Sequence, residues 1–255
     1  MRGVVLLIDS SDLSRIIFNA LARDFKIDAV VREAKVSRWA MLKRRIKRLG
    51  LQIALGQVTF AICVAPWLRR EGRRRRIEIL QAYEMDDSPI PADTVIDVSS
   101  VNDARTRTIL QELSPAVIVV NGTRLLDKGV LNAVGSIFLN THVGITPLYR
   151  GTHGGYWALA SGDREHCGVT VHKIDTGIDT GEIVSQARIE PVASDNFYTY
   201  PLLQIAYARE LLKAAIRDAL EDKLGTIPPP TGRSRLWSHP TAFQYLRNRI
   251  VSGIR

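Results

Sequence analysis

The sequence predicts an α/β fold: a mostly parallel sheet with helices on both faces, interrupted by a basic helical insertion. Three observations predict it. Short apolar runs alternate with segments of helical periodicity from residue 3 to about residue 222. The apolar runs end in turn residues, as strands buried on both faces do. One segment, 36–85, breaks the alternation and differs sharply from the rest in charge.

Residues 3–9 (GVVLLID) predict the first strand. Leu13, Ile16, Ile17 and Leu21 recur at helical spacing over 12–23, with Ser10, Ser11 or Asp12 as N-cap. Residues 27–31 (IDAVV) predict a second strand, so the chain opens as the βαβ unit of a doubly wound, Rossmann-like sheet. Helices fill the insertion, with a break near Pro66. Strand character resumes at 93–99, a helix follows at 103–113, and 115–120 (PAVIVV) is the most strand-like run. A helix near 126–133, a strand at 136–140 and a helix near 153–161 come next. Strands at 168–174 and 182–189 flank the turn DTGIDTG, and a helix fills about 198–222. The tail from Gly225 contains PPPTG and is expected to run over the surface. These elements define a main domain over 1–225 and a C-terminal extension over 226–255.

At 255 residues and 45% apolar, the chain can bury one large α/β core. Its two cysteines, Cys63 and Cys167, form neither a C-x-x-C pair nor a zinc spacing, so no metal is expected and a reducing cytoplasm is the default. The opening apolar run meets Asp9 too early for a signal peptide. The net charge of +9 is concentrated in one place. Residues 35–76 hold thirteen Lys/Arg against one acid, whereas the remainder holds 22 basic and 25 acidic residues. A chain-wide nucleic-acid reading is thereby excluded, and apart from Trp39 and Trp67 no aromatics interleave the cations. From Leu49 to Leu68 no residue is charged, a length that could cross a bilayer. Gln52, Gln57, Thr59, two glycines and Pro66 dilute that stretch and both flanks are basic, so a buried or interfacial helix is expected instead. Drawing in an anionic substrate, or peripheral contact with the inner face of a membrane through 36–76, is one expected use of the insertion. Support of the fold or of a homodimer interface is the other.

Three stretches carry the chemistry: 119–127 (VVNGTRLLD), 140–159 (NTHVGITPLYRGTHGGYWAL) and 168–181 (GVTVHKIDTGIDTG). Asn140 and His142 are two apart at the end of a predicted strand, so both side chains share a face at the edge where open α/β sheets bind ligands. Asp175 and Asp179 lie in a glycine-containing turn that can aim a carboxylate at that edge. An amide, an imidazole and a carboxylate suit acyl transfer to an amine. The His handles the proton, the Asn donates to a tetrahedral oxyanion, and the Asp fixes the His tautomer and raises its basicity. The same residues could equally cap the next segment and close a β-turn. His153 either contacts a substrate or caps the following helix. His172 fits a hydrogen-bonded supporting role, and His166 and His239 read as surface.

These stretches resemble the folate-dependent formyltransferase family, which includes glycinamide ribonucleotide transformylase, methionyl-tRNA formyltransferase and the sugar N-formyltransferases. The resemblance rests on Asn140, His142, Pro147, Tyr149 and Gly151, on Asp179 with Gly181, and on the run Thr123-Arg124-Leu125-Leu126. It covers about residues 85–190. It implies that Asn140, His142 and Asp179 are the catalytic trio and that 10-formyltetrahydrofolate is the formyl donor. It places the donor against Thr123, Arg124, Leu125, Leu126, Asp175, Thr176 and Gly177. Ser10, Ser11, Tyr149, Arg150, His153, Tyr156 and Trp157 are the candidates for the acceptor amine.

Two departures bear on the rest. Val143-Gly144 replaces the family's usual pair after the His, which is expected to loosen that loop. Asp9-Ser10-Ser11-Asp12 stands where purine-pathway members carry a phosphate loop, and two carboxylates are expected to repel a phosphate monoester. About thirty residues follow Gly225, too few for the barrel domain of members that act on initiator tRNA. The resemblance therefore implies a nucleotide-linked amino sugar as acceptor. Glycinamide ribonucleotide or another small amine, hydrolysis of the donor, and a basic RNA-associated protein on the same fold are the alternatives.

Overall fold

Residues 3–255 are described by a computed structural model. Strand β1 (Val4–Ile8) is entirely buried and leads through a tight turn into α1 (Asp12–Ala22), where Ser11 caps the helix by accepting from Ser14 N. Strand β2 (Ile27–Glu33) follows. The insertion comes next, as α2 (Arg38–Leu49), α3 (Leu51–Thr59), a π turn (Phe60–Val64), α4 (Ala65–Glu71) and α5 (Arg73–Ala82). The main fold resumes with β3 (Val95–Val98), α6 (Ala104–Leu113), β4 (Val117–Asn121), α7 (Lys128–Leu131) and β5 (Ile137–His142). Then come β6 (Tyr149–Gly151), α8 (Gly154–Ala160), β7 (Gly168–Lys173), β8 (Ile183–Arg188), α9 (Tyr200–Leu220), β9 (Arg235–Trp237) and α10 (Ala242–Ser252).

The main sheet has the order β3-β2-β1-β4-β5-β7-β8. Its first five strands are parallel, and β7 and β8 are added antiparallel, each to its neighbour. Alternation along β1 explains the layers. Val4, Leu6 and Ile8 enter one core with α1 and α9, while Val5 and Leu7 enter a second core with α6 and α7. The mostly parallel α/β class follows from the sequence as expected. The strand order runs outward from β1 to β3 and then restarts at β4 on the other side of β1. The carboxyl ends of β1 and β4 therefore flank the topological switch point, where open α/β sheets form a ligand crevice.

Two sequence expectations are corrected here. Pro66 does not break the insertion. It occupies the first turn of α4, and the preceding π turn absorbs its steric demand, with Ala65 N–H donating to Phe60 O. Leu51–Glu71 consequently forms one continuous helical rod. The tail, for its part, runs over the surface only as far as about residue 234. Strand β9 then pairs with β6, Trp237 stacks on Trp157 at 4.6 Å, and Tyr245 of α10 is fully buried. Gln57 Nε2 donates to His239 O at 2.6 Å, and Glu71 pairs with Arg249 at 2.6 Å and with Arg255. The C-terminal extension thus fastens the insertion to the main fold through aromatic burial, which a composition rich in Pro and Gly does not reveal.

Candidate active site

Strand β5 runs through His142, so Phe138, Asn140 and His142 share one face. Antiparallel pairing sets Asn140 directly opposite His172 of β7. The Asn140 amide lies 3.0 Å from His172 Nε2, while His172 Nδ1 donates to Lys173 O at 2.7 Å. That tautomer leaves His172 Nε2 to accept from Asn140, which keeps a second amide N–H free. His172 is thus hydrogen-bonded at both ring nitrogens, and it also borders the cleft described below.

Asp179 occupies the turn between β7 and β8 with a left-handed backbone, φ 50°. Its turn is braced from several sides. Gly151 N–H donates to Asp179 Oδ2 at 2.8 Å, Arg150 Nη1 donates to Ile178 O at 3.2 Å, and Asp175 accepts from Gly177 N and Thr180 Oγ1. Gly181 permits this geometry because a Cβ there would sit 1.9 Å from Lys173 O. The braced carboxylate lies between two imidazoles, with Oδ2 3.3 Å from His142 Nδ1 and Oδ1 3.6 Å from His172 Nε2. Asn140, His142 and Asp179 are therefore brought together at one sheet edge.

His142 is only 5% exposed, and its Nε2 lies 2.7 Å from Tyr149 O. Both ring nitrogens therefore face acceptors, an arrangement that suits the imidazolium. Burial acts against that charge and pushes the His142 pKa below its ordinary value, although Asp179 and the Tyr149 carbonyl pull it upward. Burial likewise opposes ionisation of Asp179. The adjoining His172 and His142 rings and the hydrogen bond from Gly151 N–H outweigh it and hold the carboxyl below the usual range. The result is a neutral imidazole held against an ionised carboxylate, a couple able to take up a proton.

The loop after His142 is not loosened by its glycine. A Cβ on Gly144 would lie 2.4 Å from Tyr149 O and 2.7 Å from His142 Nε2, and one on Gly154 would lie 2.6 Å from Gly144 Cα. Glycine here allows backbone to close directly over the imidazole.

Thr123, Arg124, Leu125, Leu126, Asp175 and Gly177 line a slot of about 110 Å³ together with Asn140, His172 and Asp179. Thr176 lies in the same turn, exposed to solvent. The Arg124 guanidinium is held by the fold, with Nε 2.7 Å from the buried Glu33 and Nη2 donating to Ser99 O.

The acceptor candidates divide. Ser10, Ser11 and His153 line a second and larger cavity of about 580 Å³ beside the β1 turn. Ser10 Oγ is buried there without a hydrogen-bond partner. Tyr149, Arg150, Tyr156 and Trp157 do not join them. The Tyr149 hydroxyl donates to Asp163, Tyr156 is fully buried and accepts from Asn248, and Trp157 donates to Ser238 O. Arg150 braces the Asp179 turn. The run YRGTHGGYW is chiefly packing, because α8 directs its aromatics into the core that the C-terminal extension completes. His239 is likewise no surface residue. Its ring packs edge-on against Phe60 at 4.6 Å and borders the larger cavity.

Nor do the two carboxylates of the first turn form a bare negative pair. Asp9 Oδ1 accepts from Ser11 N, Ser11 Oγ and Ser14 Oγ, while Asp12 pairs with Arg15 at 2.9 Å and Arg76 at 3.2 Å. Lys35 and Arg69 add positive charge to the cavity wall, where Arg76 is already paired with Asp12 and Asp87, and Phe60, Phe197 and Tyr198 supply aromatic surface. Sequence reasoning missed this group. Its members come from the insertion and from the start of α9, and only the chain's return past β1 assembles them.

A formyl transferase family profile matches residues 59–201 of the chain. A methionyl-tRNA formyltransferase from Chlorobium luteolum is 36% identical over 124 residues, which make up 48% of this chain and 39% of that relative. The fold matches a glycinamide ribonucleotide transformylase from Symbiobacterium toebii with a TM-score of 0.56 at 19% identity, covering 93% of this chain and 95% of the other. It also matches an N-formyltransferase from Helicobacter canadensis, solved with folinic acid and dTDP-3-aminofucose. There the TM-score is 0.55 at 16% identity, with 93% of this chain and 71% of the other covered.

Proposed function

The chain belongs to the formyl transferase family, and on that premise we propose that it transfers a formyl group from 10-formyltetrahydrofolate to the amine of a nucleotide-linked amino sugar. The observation that carries the reaction class is the meeting of Asn140, His142 and Asp179 beside one narrow slot, with a separate cationic and aromatic cavity at the switch point. The amine nitrogen bonds to the formyl carbon, and the bond from that carbon to the folate nitrogen then breaks. The free N–H of Asn140 stabilises the tetrahedral oxyanion. The amine's proton passes to the Asp179–His142 couple, and a proton returns to the departing folate nitrogen.

For the donor, the slot offers apolar side chains from Val120, Leu126 and Ile174 and the backbone of 122–126. At about 110 Å³ it takes the edge of a flat heterocycle, with the remainder of the folate across its mouth. For the acceptor, about 580 Å³ accommodates a sugar and a base, with Phe197 and Tyr198 as stacking surfaces and Lys35 and Arg69 as partners for a diphosphate. This support replaces the YRGTHGGYW motif. The reaction is placed in the cytoplasm.

Glycinamide ribonucleotide is a second reading, because hydroxyls satisfy Asp9 and arginines neutralise Asp12. A donor-dependent assay across amino-sugar nucleotides, glycinamide ribonucleotide and charged initiator tRNA tests the assignment. Turnover with an amino-sugar nucleotide alone supports it. Turnover with glycinamide ribonucleotide alone replaces it, and release of formate with none of them points to a hydrolase.

A further inference from the structure

The insertion leaves an outward surface that the formyl-transfer site does not use. Helix α2 has no fully buried residue; Trp39, Leu42, Ile46 and Leu49 form one apolar stripe along it, with Trp39 exposed and the other three half-buried. Its remaining surface carries Arg38, Lys43, Arg44, Lys47 and Arg48, with no acid in the helix. Among the described residues none of these cations is ion-paired.

The rod Leu51–Glu71 is the one helix among the described residues long and apolar enough to cross a membrane, with a mean hydropathy of 1.6. It does not stand free to do so. Ala54, Gln57, Phe60, Val64 and Leu68 form a buried stripe packed on the main fold, while Leu55, Ile62 and Trp67 point outward. Helix α10 lies alongside the rod. Thr241 sits against Gly56 at one end, and Arg249 covers the Trp67 ring at 4.3 Å at the other. Apolar residues also stand outward on α10, with Phe243 76% and Ile250 81% exposed and Val251 beside Ile250. Trp39 is 75% exposed on α2, which packs against the rod and is joined to it by Gly50 alone. Two neighbouring helices and a basic amphipathic helix thus present aromatic and aliphatic tips. At and just beyond the far end of the rod lie Arg70 and Arg73, which among the described residues have no ion pair.

We propose that α2, the outer face of Leu51–Glu71 and α10 form a docking surface for an anionic lipid bilayer, on which the protein lies peripherally. Apolar tips enter the headgroup boundary, and Lys and Arg meet acidic headgroups. Charge decides among the occupants. A symmetric contact with a second copy would set the all-cationic flanks of α2 against each other or against apolar tips. Nucleic acid would meet the cations but leave Ile62, Ile250 and Val251 without a base to cover them. The docking surface stands apart from the acceptor assignment. Because Phe60, Leu68 and Arg69 of the same rod line the larger cavity, docking holds that cavity next to the membrane plane.

The test is sedimentation of the full chain with vesicles of phosphatidylcholine alone and of phosphatidylcholine mixed with phosphatidylglycerol, at low and high salt. Binding to the anionic vesicles that weakens with salt is expected. Neutralising Lys43, Arg44 and Lys47 to Ala should lower partitioning about fivefold per charge. The double variant Phe243→Glu/Ile250→Glu, altered only at exposed positions, should lose at least about tenfold while keeping its melting temperature and its formyl transfer to a soluble acceptor. Equal binding to neutral vesicles, or none to either, overturns the proposal. So does a dimer in light scattering that Ile250→Glu dissolves, or retention of RNA in preference to vesicles.

Discussion

Replacing Asp179 by Asn isolates the charge at the centre of the candidate active site. The substitution is conservative in shape for two structural reasons. Asp179 has φ 50°, a region Asn tolerates better than most residues, and an amide oxygen can still accept from Gly151 N–H. What disappears is a negative charge 3.3 Å from His142 Nδ1. At an effective dielectric of about 20, that charge favours an imidazolium by about 5 kcal/mol. Burial of His142 works against the same charged form, and this opposing effect is the larger one in the folded protein. Loss of Asp179 therefore leaves desolvation opposed chiefly by the Tyr149 carbonyl and pushes the pKa further down. A kcat loss of about 100- to 1,000-fold is expected, corresponding to about 2.7–4 kcal/mol of transition-state stabilisation. The acid limb of the pH–rate profile should move to lower pH or vanish. The assay is formyl transfer followed by appearance of deformylated folate across pH 5–9, with thermal melting as a control for folding. If Asp179→Asn kept activity within about threefold, or lost it with an unshifted profile and a lowered melting temperature, the Asp179–His142 couple would have no place in proton transfer.

Other substitutions probe separate parts of the structure. His142→Ala should reduce turnover at least ~100-fold, and near-normal steady-state rates would remove the imidazole from the reaction. Gly144→Ala should cost about 1–3 kcal/mol and most activity, since its Cβ would lie 2.4 Å from Tyr149 O; an unchanged denaturation midpoint would contradict that packing. Arg69→Ala should raise the acceptor KM with little change in kcat, and equal losses in donor and acceptor KM would move the cavity's assignment. Tyr245→Ala should lose about 3–5 kcal/mol and release the C-terminal extension to proteolysis, because the ring is fully buried between insertion and core. Stability should also decline in acid. Burial depresses His153 to about 3 and lowers His142 and His239, so the unfolded chain binds more protons at pH below about 6.5. Each such group then removes about 1.4 kcal/mol per pH unit between its unfolded and folded pKa. His153→Asn, which also tolerates the left-handed backbone, should flatten the fall in melting temperature from pH 6.5 downward.

Local pattern alone determined the alternation of strands and helices, an N-cap for the first helix among Ser10, Ser11 and Asp12, and the basic insertion. Each is set by neighbours in sequence, through backbone periodicity and side-chain hydrogen bonds to nearby amides. The Asn140, His142 and Asp179 grouping was legible through the family resemblance; pattern alone put Asn140 and His142 on one strand face and left both Asp175 and Asp179 as candidates in the hairpin turn. Tertiary structure alone decided the rest. Sequence could not tell that Tyr156 and Trp157 face a core built with Trp237 and Tyr245, since that core exists only once the C-terminal extension returns beneath α8. It suggested a repulsive first turn, whereas folding brings Arg76 from the insertion onto Asp12 and two serine hydroxyls onto Asp9. It placed His239 at the surface, whereas the ring packs against Phe60 from nearly 180 residues away. It read Pro66 as a break, where a π turn upstream lets the rod continue. In each case the decisive partner comes from a distant segment or from a small change of helical pitch. Side-chain identity fixes what a residue can bond, but only the closed chain fixes which partner reaches it and whether water remains between them.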